Sequence, residues 1–176
     1  MIIVLTGCVG TGKTSVAKIL SKELRMQVIN DKEFCIANKI GTMRGDELEV
    51  DISQLQDKIL AYISDKNTIL EGHLFSLVKL PADTVFVLHT RIDELEQRLR
   101  ERGYSAEKIH ENILTEGIDY CKEQAKLHYA CKICDIDTTH KTVEEVALKI
   151  KKILEGKETC DKINHETELV NYLRRK

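Results

Sequence analysis

Several features that would assign this chain to a specialised class are scarce or missing. The 176 residues contain one proline and no tryptophan, and only 5% of them are aromatic. With Pro81 alone to interrupt them, helices and strands can run through most of the chain. No run of 18 apolar residues occurs, and residues 1–5 lack the basic lead and cleavage site of a signal peptide. We therefore expect neither a transmembrane helix nor a membrane partner.

Neither sign of charge dominates the composition. The formal net charge is −2, which argues against a protein that binds nucleic acid through bulk charge. The six cysteines are scattered without secretory marks, so we expect free thiols in a reducing cytoplasm, with the nucleus as the alternative in a eukaryotic cell. Cys131 and Cys134 have zinc-knuckle spacing, but no second pair follows, so no structural zinc is expected.

Strand-like and helix-like patterns alternate along the chain. Apolar runs predict strands at 2–5, 26–29, 68–71, 84–89 and 133–137. Helical spacing of apolar residues predicts helices at 13–24, 31–39, 52–63, 93–102, 105–129 and 142–154. Asp31 is the predicted N-cap of the second helix, and 41–46 the loop after it. The alternation predicts an α/β fold in which helices cover both faces of a parallel sheet.

Residues 7–14 carry the strongest motif. Their sequence, Gly-Cys-Val-Gly-Thr-Gly-Lys-Thr, matches G-x-x-x-x-G-K-[ST] and lies between a predicted strand and a predicted helix. The glycines allow the backbone N–H groups to face inward, and the positive end of the next helix points at the same place. Lys13 can reach the β- and γ-phosphates of ATP, and the Thr14 hydroxyl can bind Mg²⁺. The predicted ATP-binding residues of this segment are Gly10, Gly12, Lys13, Thr14 and Ser15.

The phosphate loop alone does not separate kinases, GTPases and motor ATPases. Asn38-Lys-Ile-Gly41 fails the Asn-Lys-x-Asp signature of GTPases, and the chain is too short for the extra subdomains of motor ATPases. A small nucleotide or metabolite kinase fits best.

A second motif, Arg-Gly-Tyr-Ser-Ala-Glu-Lys-Ile-His-Glu-Asn, occupies residues 102–112. Together with the loop, with Glu71-Gly-His73 and with Asp137-Thr-Thr139, it resembles the archaeal and eukaryotic adenylate-kinase-like family over about residues 1–156. This resemblance implies a three-layer P-loop NTPase of the NMP-kinase type, with a five-stranded parallel sheet in the order 2-3-1-4-5. It also implies an acceptor segment near 30–53 and a lid near 101–111. Residues 157–176 form a polar C-terminal extension, with a short helix at 168–175, that we expect to be solvated.

The resemblance implies ATP and Mg²⁺ as cofactors and AMP or another nucleoside monophosphate as acceptor. Arg102 reaches the phosphates from the lid, and Gly103 beside it can serve as a hinge. Glu71 holds the metal, partly through water, and His73 orients the attacking group. The predicted catalytic residues are Lys13, Glu71, His73 and Arg102, and the predicted substrate-binding residues are Asn30, Arg44 and Arg98. For Arg98 the alternative is a surface ion pair, and for Arg44 a loose loop cation.

Two positions depart from the family pattern. Val9 replaces a usual proline in the loop, and the stretch 34–36 (Phe-Cys-Ile) lacks the basic residue that relatives often carry there. The second departure leaves the acceptor open. The alternatives are an adenylate kinase (ATP + AMP to 2 ADP), an ATPase, or a small-metabolite kinase. In the ATPase case the resemblance implies a maturation factor for 18S or 16S rRNA. That factor would bind a small-subunit ribosomal protein and the immature small subunit.

Overall fold

A computed structural model describes residues 1–45, 47–63 and 67–175 of the chain. The strands are β1 (Ile2–Gly7), β2 (Gln27–Asn30), β3 (Thr42–Arg44), β4 (Glu47–Glu49), β5 (Thr68–Glu71), β6 (Thr84–His89) and β7 (Lys132–Asp137). The helices are α1 (Lys13–Leu24), α2 (Asp31–Ala37), α3 (Ile52–Ile63), α4 (Ile92–Glu101), α5 (Ala106–Gly117), α6 (Tyr120–His128), α7 (Val143–Leu154) and α8 (Glu166–Leu173). A 3₁₀ turn covers Leu74–Leu77.

Five parallel strands form the central sheet in the order β2-β5-β1-β6-β7. Numbered among the five predicted strands, this is the expected order 2-3-1-4-5, so the predicted sheet and the α/β class are confirmed. Strand β1 lies in the middle and pairs with both β5 and β6. Its carboxyl end therefore opens at the centre of the sheet edge, where α/β proteins bind ligands.

Alternate residues of β1 face two separate hydrophobic cores. Ile3 and Leu5 pack with the apolar sides of α1 and α7. Val4, on the other face, packs with residues of α2, α3 and α6. The strand is fully buried on both faces, which explains why its sequence is continuously apolar rather than alternating.

The C-terminal extension packs against the domain, contrary to the expected solvated tail. Leu169 and Tyr172 of α8 join Ile92, Leu95 and Ile113 of α4 and α5 in a third hydrophobic cluster. The Glu168 carboxylate accepts the Ile92 N–H at 3.0 Å, at the start of α4. Lys176, the last residue of the predicted extension, lies outside the described residues.

Two predictions about local structure were wrong. The N-cap of α2 is Asn30, whose side chain accepts the Glu33 N–H, and not Asp31. The predicted loop at 41–46 contains strand β3, which forms an antiparallel pair with β4; Asp46 lies outside the described residues. The segment 105–129 is largely helical, as predicted, but it forms two helices, because Asp119 between them adopts a left-handed conformation with φ 54°.

All six cysteines were expected to be free thiols, but two of them form a disulfide. Cys134 of β7 is joined to Cys160 by a disulfide, which ties the segment after α7 to the edge of the sheet. Cys8, Cys35, Cys121 and Cys131 are free.

Within the described residues, no helix has both the length and the apolar character needed to cross a bilayer.

Candidate active site

The phosphate loop connects β1 to α1 at the centre of the sheet edge. Gly10 and Gly12 have φ values of 98° and 94°, which side chains of L-amino acids rarely adopt. A Cβ atom on Gly10 would lie 2.7 Å from Leu95 Cδ1 of α4, so this glycine also allows α4 to approach the loop. No side chain caps the start of α1, which leaves its first N–H groups available to an anion.

Lys13 turns inward over the loop. It is 8% exposed, and its Nζ donates a hydrogen bond of 2.7 Å to the Cys8 carbonyl. The Thr11 hydroxyl donates to the same carbonyl at 2.9 Å. A phosphate bound in the loop would replace the carbonyl as the partner of Lys13, because an ionic acceptor makes the stronger bond.

The carboxylate of Glu71 lies at the carboxyl end of β5, next to the loop. It is 2% exposed and accepts two hydrogen bonds: one from the Thr14 hydroxyl at 2.9 Å and one from the Asn30 amide at 2.7 Å. Asn30 ends the adjacent strand β2 and is in register with Glu71. A buried carboxylate beside a hydroxyl is the oxygen donor set that Mg²⁺ requires, so these residues fit the ion.

Asp31 and His73 lie beside Glu71. The Asp31 carboxylate accepts the N–H groups of Lys32 at 2.6 Å and of Leu74 at 2.8 Å, and lies 3.7 Å from His73 Nδ1. It therefore fixes the turn after β5 instead of capping α2. A Cβ atom on Gly72 would overlap this carboxylate, which explains the glycine between Glu71 and His73.

The pKa of the His73 imidazole lies below its ordinary value, which favours the neutral ring. Burial lowers its pKa, and the charge of Lys13 lowers it further, although Asp31 and Glu71 act in the opposite direction. A neutral imidazole can accept a proton from an attacking hydroxyl group or water.

Two cavities flank the phosphate loop. The first, of about 300 Å³, extends towards α7 and has Arg98, Thr138, Lys141, Val143 and Val146 among its lining residues. The second, of about 350 Å³, extends towards β2 and β5 and has Asn30, Lys32, Glu71, His73 and Tyr104 among its lining residues. Both are lined by Gly10, Gly12, Ser15 and Arg102.

Arg102 is the arginine common to both cavities. It is the C-cap residue of α4, and its guanidinium has no hydrogen bond or ion pair with any residue in the described part of the chain. Its neighbour Gly103 has φ 74°, so the chain turns sharply between α4 and α5. An unpaired guanidinium at this position is available to phosphate oxygens.

Two of the predicted substrate-binding residues do not line the second cavity. Arg98 lines the first cavity, and Arg44 lies on an exposed hairpin. Arg98 donates to the Gly10 carbonyl at 3.2 Å and to the Thr138 carbonyl at 3.1 Å, and pairs with Glu94. It thus fixes the wall of the first cavity. Arg44 lies on the β3–β4 hairpin, 78% exposed and paired with Glu49 at 2.6 Å, and lines neither cavity.

Sequence reasoning missed several residues that line the cavities. Lys32 and Tyr104 face the second cavity, and Thr138 and Lys141 face the first. Tyr104 and Thr138 belong to the motifs 102–112 and 137–139, so those motifs carried a signal for them. Lys32 and Lys141 lie in ordinary helical and turn sequences, which give no such signal.

Comparison with known proteins finds one matching family model and several curated relatives. Residues 3–119 match the model of a family described as AAA domain. Two curated relatives carry the name "Putative adenylate kinase". One, from Pyrococcus furiosus, is 39% identical over 154 residues (88% of this chain and 84% of the relative); the other, from Thermococcus gammatolerans, is 39% identical over 155 residues (88% and 86%).

The fold is also found among solved structures. Shikimate kinase from Acinetobacter baumannii in complex with shikimate superposes with a TM-score of 0.63 over 89% of this chain and 94% of that one, at 18% identity. At this identity the likeness concerns the fold alone. The family match and the curated relatives show that the chain belongs to the family described as AAA domain and to the adenylate-kinase-like family of these relatives.

Proposed function

We propose that this protein is a Mg-ATP-dependent nucleotide kinase of the adenylate kinase type, which transfers the γ-phosphoryl group of ATP to AMP or another nucleoside monophosphate. One observation carries the proposal. The two cavities meet at Gly10, Gly12, Ser15 and Arg102, so a nucleotide whose base lies in the first presents its terminal phosphate to the second. Cavities of about 300 Å³ and about 350 Å³ suit nucleotide-sized ligands. The names of the archaeal relatives support the same reaction class.

The residues of the loop and lid supply positioning and positive charge. The loop N–H groups and Lys13 hold the β- and γ-phosphates, and Arg102 contacts the transferring group from the opposite side. Thr14 and Glu71 hold Mg²⁺, which when bound neutralises charge on the phosphate oxygens. Phosphoryl transfer depends mainly on such positioning and electrostatic stabilisation.

The acceptor lies on the side of β2 and β5. Lys32 and Arg102 are the cations there that can bind an acceptor phosphate, and Asn30 and Tyr104 offer neutral hydrogen-bonding groups. His73 is within the same wall, where it can receive the proton of an attacking hydroxyl. Arg44 is not assigned this role here, because in the conformation described it faces solvent and pairs with Glu49.

ATP hydrolysis is the second candidate, favoured by the pairing of His73 with Asp31. A neutral imidazole held 3.7 Å from a buried carboxylate can orient water as readily as a substrate hydroxyl. The role in small-subunit ribosome maturation, with a ribosomal protein as partner, remains a prediction of the family resemblance.

ADP production from MgATP separates these functions. The protein is assayed alone, with each of AMP, CMP, GMP and UMP, with shikimate, and with small-subunit ribosomal proteins. At least a tenfold stimulation by AMP, with two ADP formed per ATP consumed, supports the adenylate kinase. A rate that is independent of monophosphates and raised by a ribosomal protein contradicts it and supports the ATPase. Stimulation by shikimate alone supports a metabolite kinase.

A further inference from the structure

A group of buried ionisable side chains lies apart from both cavities. His89 ends β6, Glu116 lies in the last turn of α5, Asp119 joins α5 to α6, and His165 precedes α8. We call these four residues the histidine–carboxylate cluster. His89 and Glu116 are each 2% exposed and His165 is 6% exposed. None of the four has a role in the phosphotransfer proposed above.

The donor atoms of the cluster have the spacing of a tetrahedral metal site. Glu116 Oε1 lies 3.1 Å from His89 Nδ1 and 3.3 Å from His165 Nε2. His89 Nδ1 is 3.9 Å from Asp119 Oδ1. One donor atom from each of His89, Asp119 and His165 falls within 4.8 Å of the others. Ligands that bind Zn²⁺ at about 2.0–2.2 Å in a tetrahedron are about 3.3–3.6 Å apart, so the contacts of Glu116 are near this spacing and Asp119 would move inward to bind the ion.

Several atoms of the cluster have no hydrogen-bond partner among the described residues. They are Asp119 Oδ1 and both ring nitrogens of His165. The His165 nitrogens lie 3.3 Å from Glu116 and 3.5 Å from Glu168, but without the alignment of a hydrogen bond. Buried polar atoms are rarely left unpaired, because burial without a partner is costly. A cation among them would satisfy Asp119 Oδ1 and His165 Nε2, and would leave His165 Nδ1 facing Glu168.

Carboxylates on the far side of both imidazoles complete the pattern. His89 Nε2 lies 3.1 Å from Asp135 Oδ1, and Asp135 is in turn paired with Lys122 at 2.7 Å. His165 Nδ1 faces Glu168 Oε2 at 3.5 Å, without a hydrogen bond. Metal-binding histidines commonly donate their second N–H to a carboxylate, which orients the ring and raises its basicity.

We propose that the histidine–carboxylate cluster binds one Zn²⁺ ion. Two imidazoles and two carboxylates suit zinc better than Mg²⁺ or Ca²⁺, which prefer oxygen ligands alone. The two carboxylates balance the charge of the ion. Glu116 Oε1 also accepts the Thr90 N–H at 3.1 Å, which leaves a lone pair of that oxygen for the metal. Four protein ligands close the site, so its role is structural: it fastens the C-terminal segment to β6 and α5.

No structural zinc was expected from the sequence, because no second cysteine pair follows Cys131 and Cys134. The ligands of this site are 3 to 76 residues apart and come from four elements, and only the fold brings them together.

Zinc binding to the full-length protein tests the proposal. The chain is freed of metal with a chelator and titrated with Zn²⁺ alone, in competition with a chromophoric chelator and without nucleotide. We expect one ion per chain and a rise in Tm of about 5–10 °C at a free zinc concentration 100-fold above Kd. Replacement of Zn²⁺ by Co²⁺ is expected to give the visible absorption of a tetrahedral site.

Matched histidine variants show where the ion binds. His165→Gln, which keeps a polar side chain, is expected to weaken zinc binding by roughly 100-fold or more, since loss of an outer partner alone costs about 10–100-fold. His128→Ala is the control, because His128 contacts the Gln124 carbonyl outside the cluster, and is expected to bind like the wild type. Equal affinity of His165→Gln and the wild type would overturn the proposal, as would a wild-type chain that binds no zinc. The cluster would then be a set of imidazolium–carboxylate ion pairs.

Discussion

At the scale of single residues, the turn after β5 depends on a glycine. Gly72 has φ 146°, and the Asp31 carboxylate occupies the space where a Cβ atom would lie. That carboxylate holds the turn through the Leu74 N–H, so a side chain at position 72 would disturb both Glu71 and His73. Glycine is needed here because the Asp31 carboxylate, which follows β2, lies against the backbone that follows β5.

Gly72→Ala is therefore expected to lower the free energy of unfolding by about 2–4 kcal/mol, since the added methyl group forces the Asp31 carboxylate to move. Urea denaturation of the purified variant measures this. Gly156→Ala is the matched control: Gly156 also has positive φ, at 72°, but no atom lies within 4 Å of the added Cβ. Its expected cost is about 1 kcal/mol, from backbone strain alone. Equal losses in both variants would contradict this account of Gly72.

Different roles are expected for Arg98 and Arg102, which lie one helical turn apart at the C-terminal end of α4. The guanidinium of Arg102 has no partner in the described part of the chain. Arg102→Ala should therefore lower kcat roughly 10²–10³-fold with little change in stability. Arg98 holds two backbone carbonyls, so Arg98→Ala should lower the free energy of unfolding by about 1–3 kcal/mol.

Steady-state rates and urea curves for both variants measure these effects. Arg44→Ala, on the exposed hairpin, serves as control and should leave the KM for AMP within about twofold. A large effect of Arg44→Ala with none of Arg102→Ala would reverse the roles assigned here.

At the scale of elements, α8 contributes a hydrophobic residue to the lid side of the domain. Tyr172 is 6% exposed, packs in the cluster formed by α4 and α5, and lies with its hydroxyl 3.2 Å from His110 Nδ1. Tyr172→Ala should lower the free energy of unfolding by about 3–5 kcal/mol, because a large buried ring leaves a cavity.

Thermal and urea denaturation measure this loss. Leu173→Ala is the control, since its side chain is 47% exposed, and it should change stability by no more than about 0.5 kcal/mol. If both variants are as stable as the wild type, α8 does not pack as described.

The disulfide is the other element-scale link. Cys134 and Cys160 enclose a chain segment with a sequence separation of 26, for which loop closure predicts about 3–4 kcal/mol of stabilisation. Unfolding with and without a reductant measures it, and thiol counting by mass spectrometry under non-reducing conditions checks the pairing. The Cys134→Ser/Cys160→Ser pair of substitutions should make stability independent of the reductant. Six free thiols in protein kept under oxidising conditions would contradict this link.

At the scale of the whole molecule, sequence patterns predicted the parts of the fold that depend on local signals. The apolar run of β1, the glycines of the phosphate loop and the spacing of α1 occur within 24 consecutive residues, so their arrangement was predictable. The five strands were predicted from their apolar runs. Their order was implied by the family resemblance.

Features that depend on distant residues were not predictable. The β3–β4 hairpin consists of three-residue strands, Thr-Met-Arg and Glu-Leu-Glu, whose alternation is too short to predict a strand. The break at Asp119 has Gly117 two residues before it, but a lone glycine also occurs inside helices and does not fix a break. The helix α8 shows only a short apolar spacing. Asp31 looked like a helix cap from its sequence context, and only the approach of β5 shows that it binds the next turn.

The central claim is that the loop at 7–14 holds the phosphates of MgATP, with Lys13 as the residue that binds them directly. Calorimetric titration of MgATP into the wild type and into Lys13→Ala, with circular dichroism to show that both are folded, tests it most directly. We predict that Lys13→Ala weakens binding by roughly 10–100-fold, because a charged hydrogen bond of about 1.5–3 kcal/mol is lost. Equal affinity of a folded Lys13→Ala variant and the wild type would contradict the account.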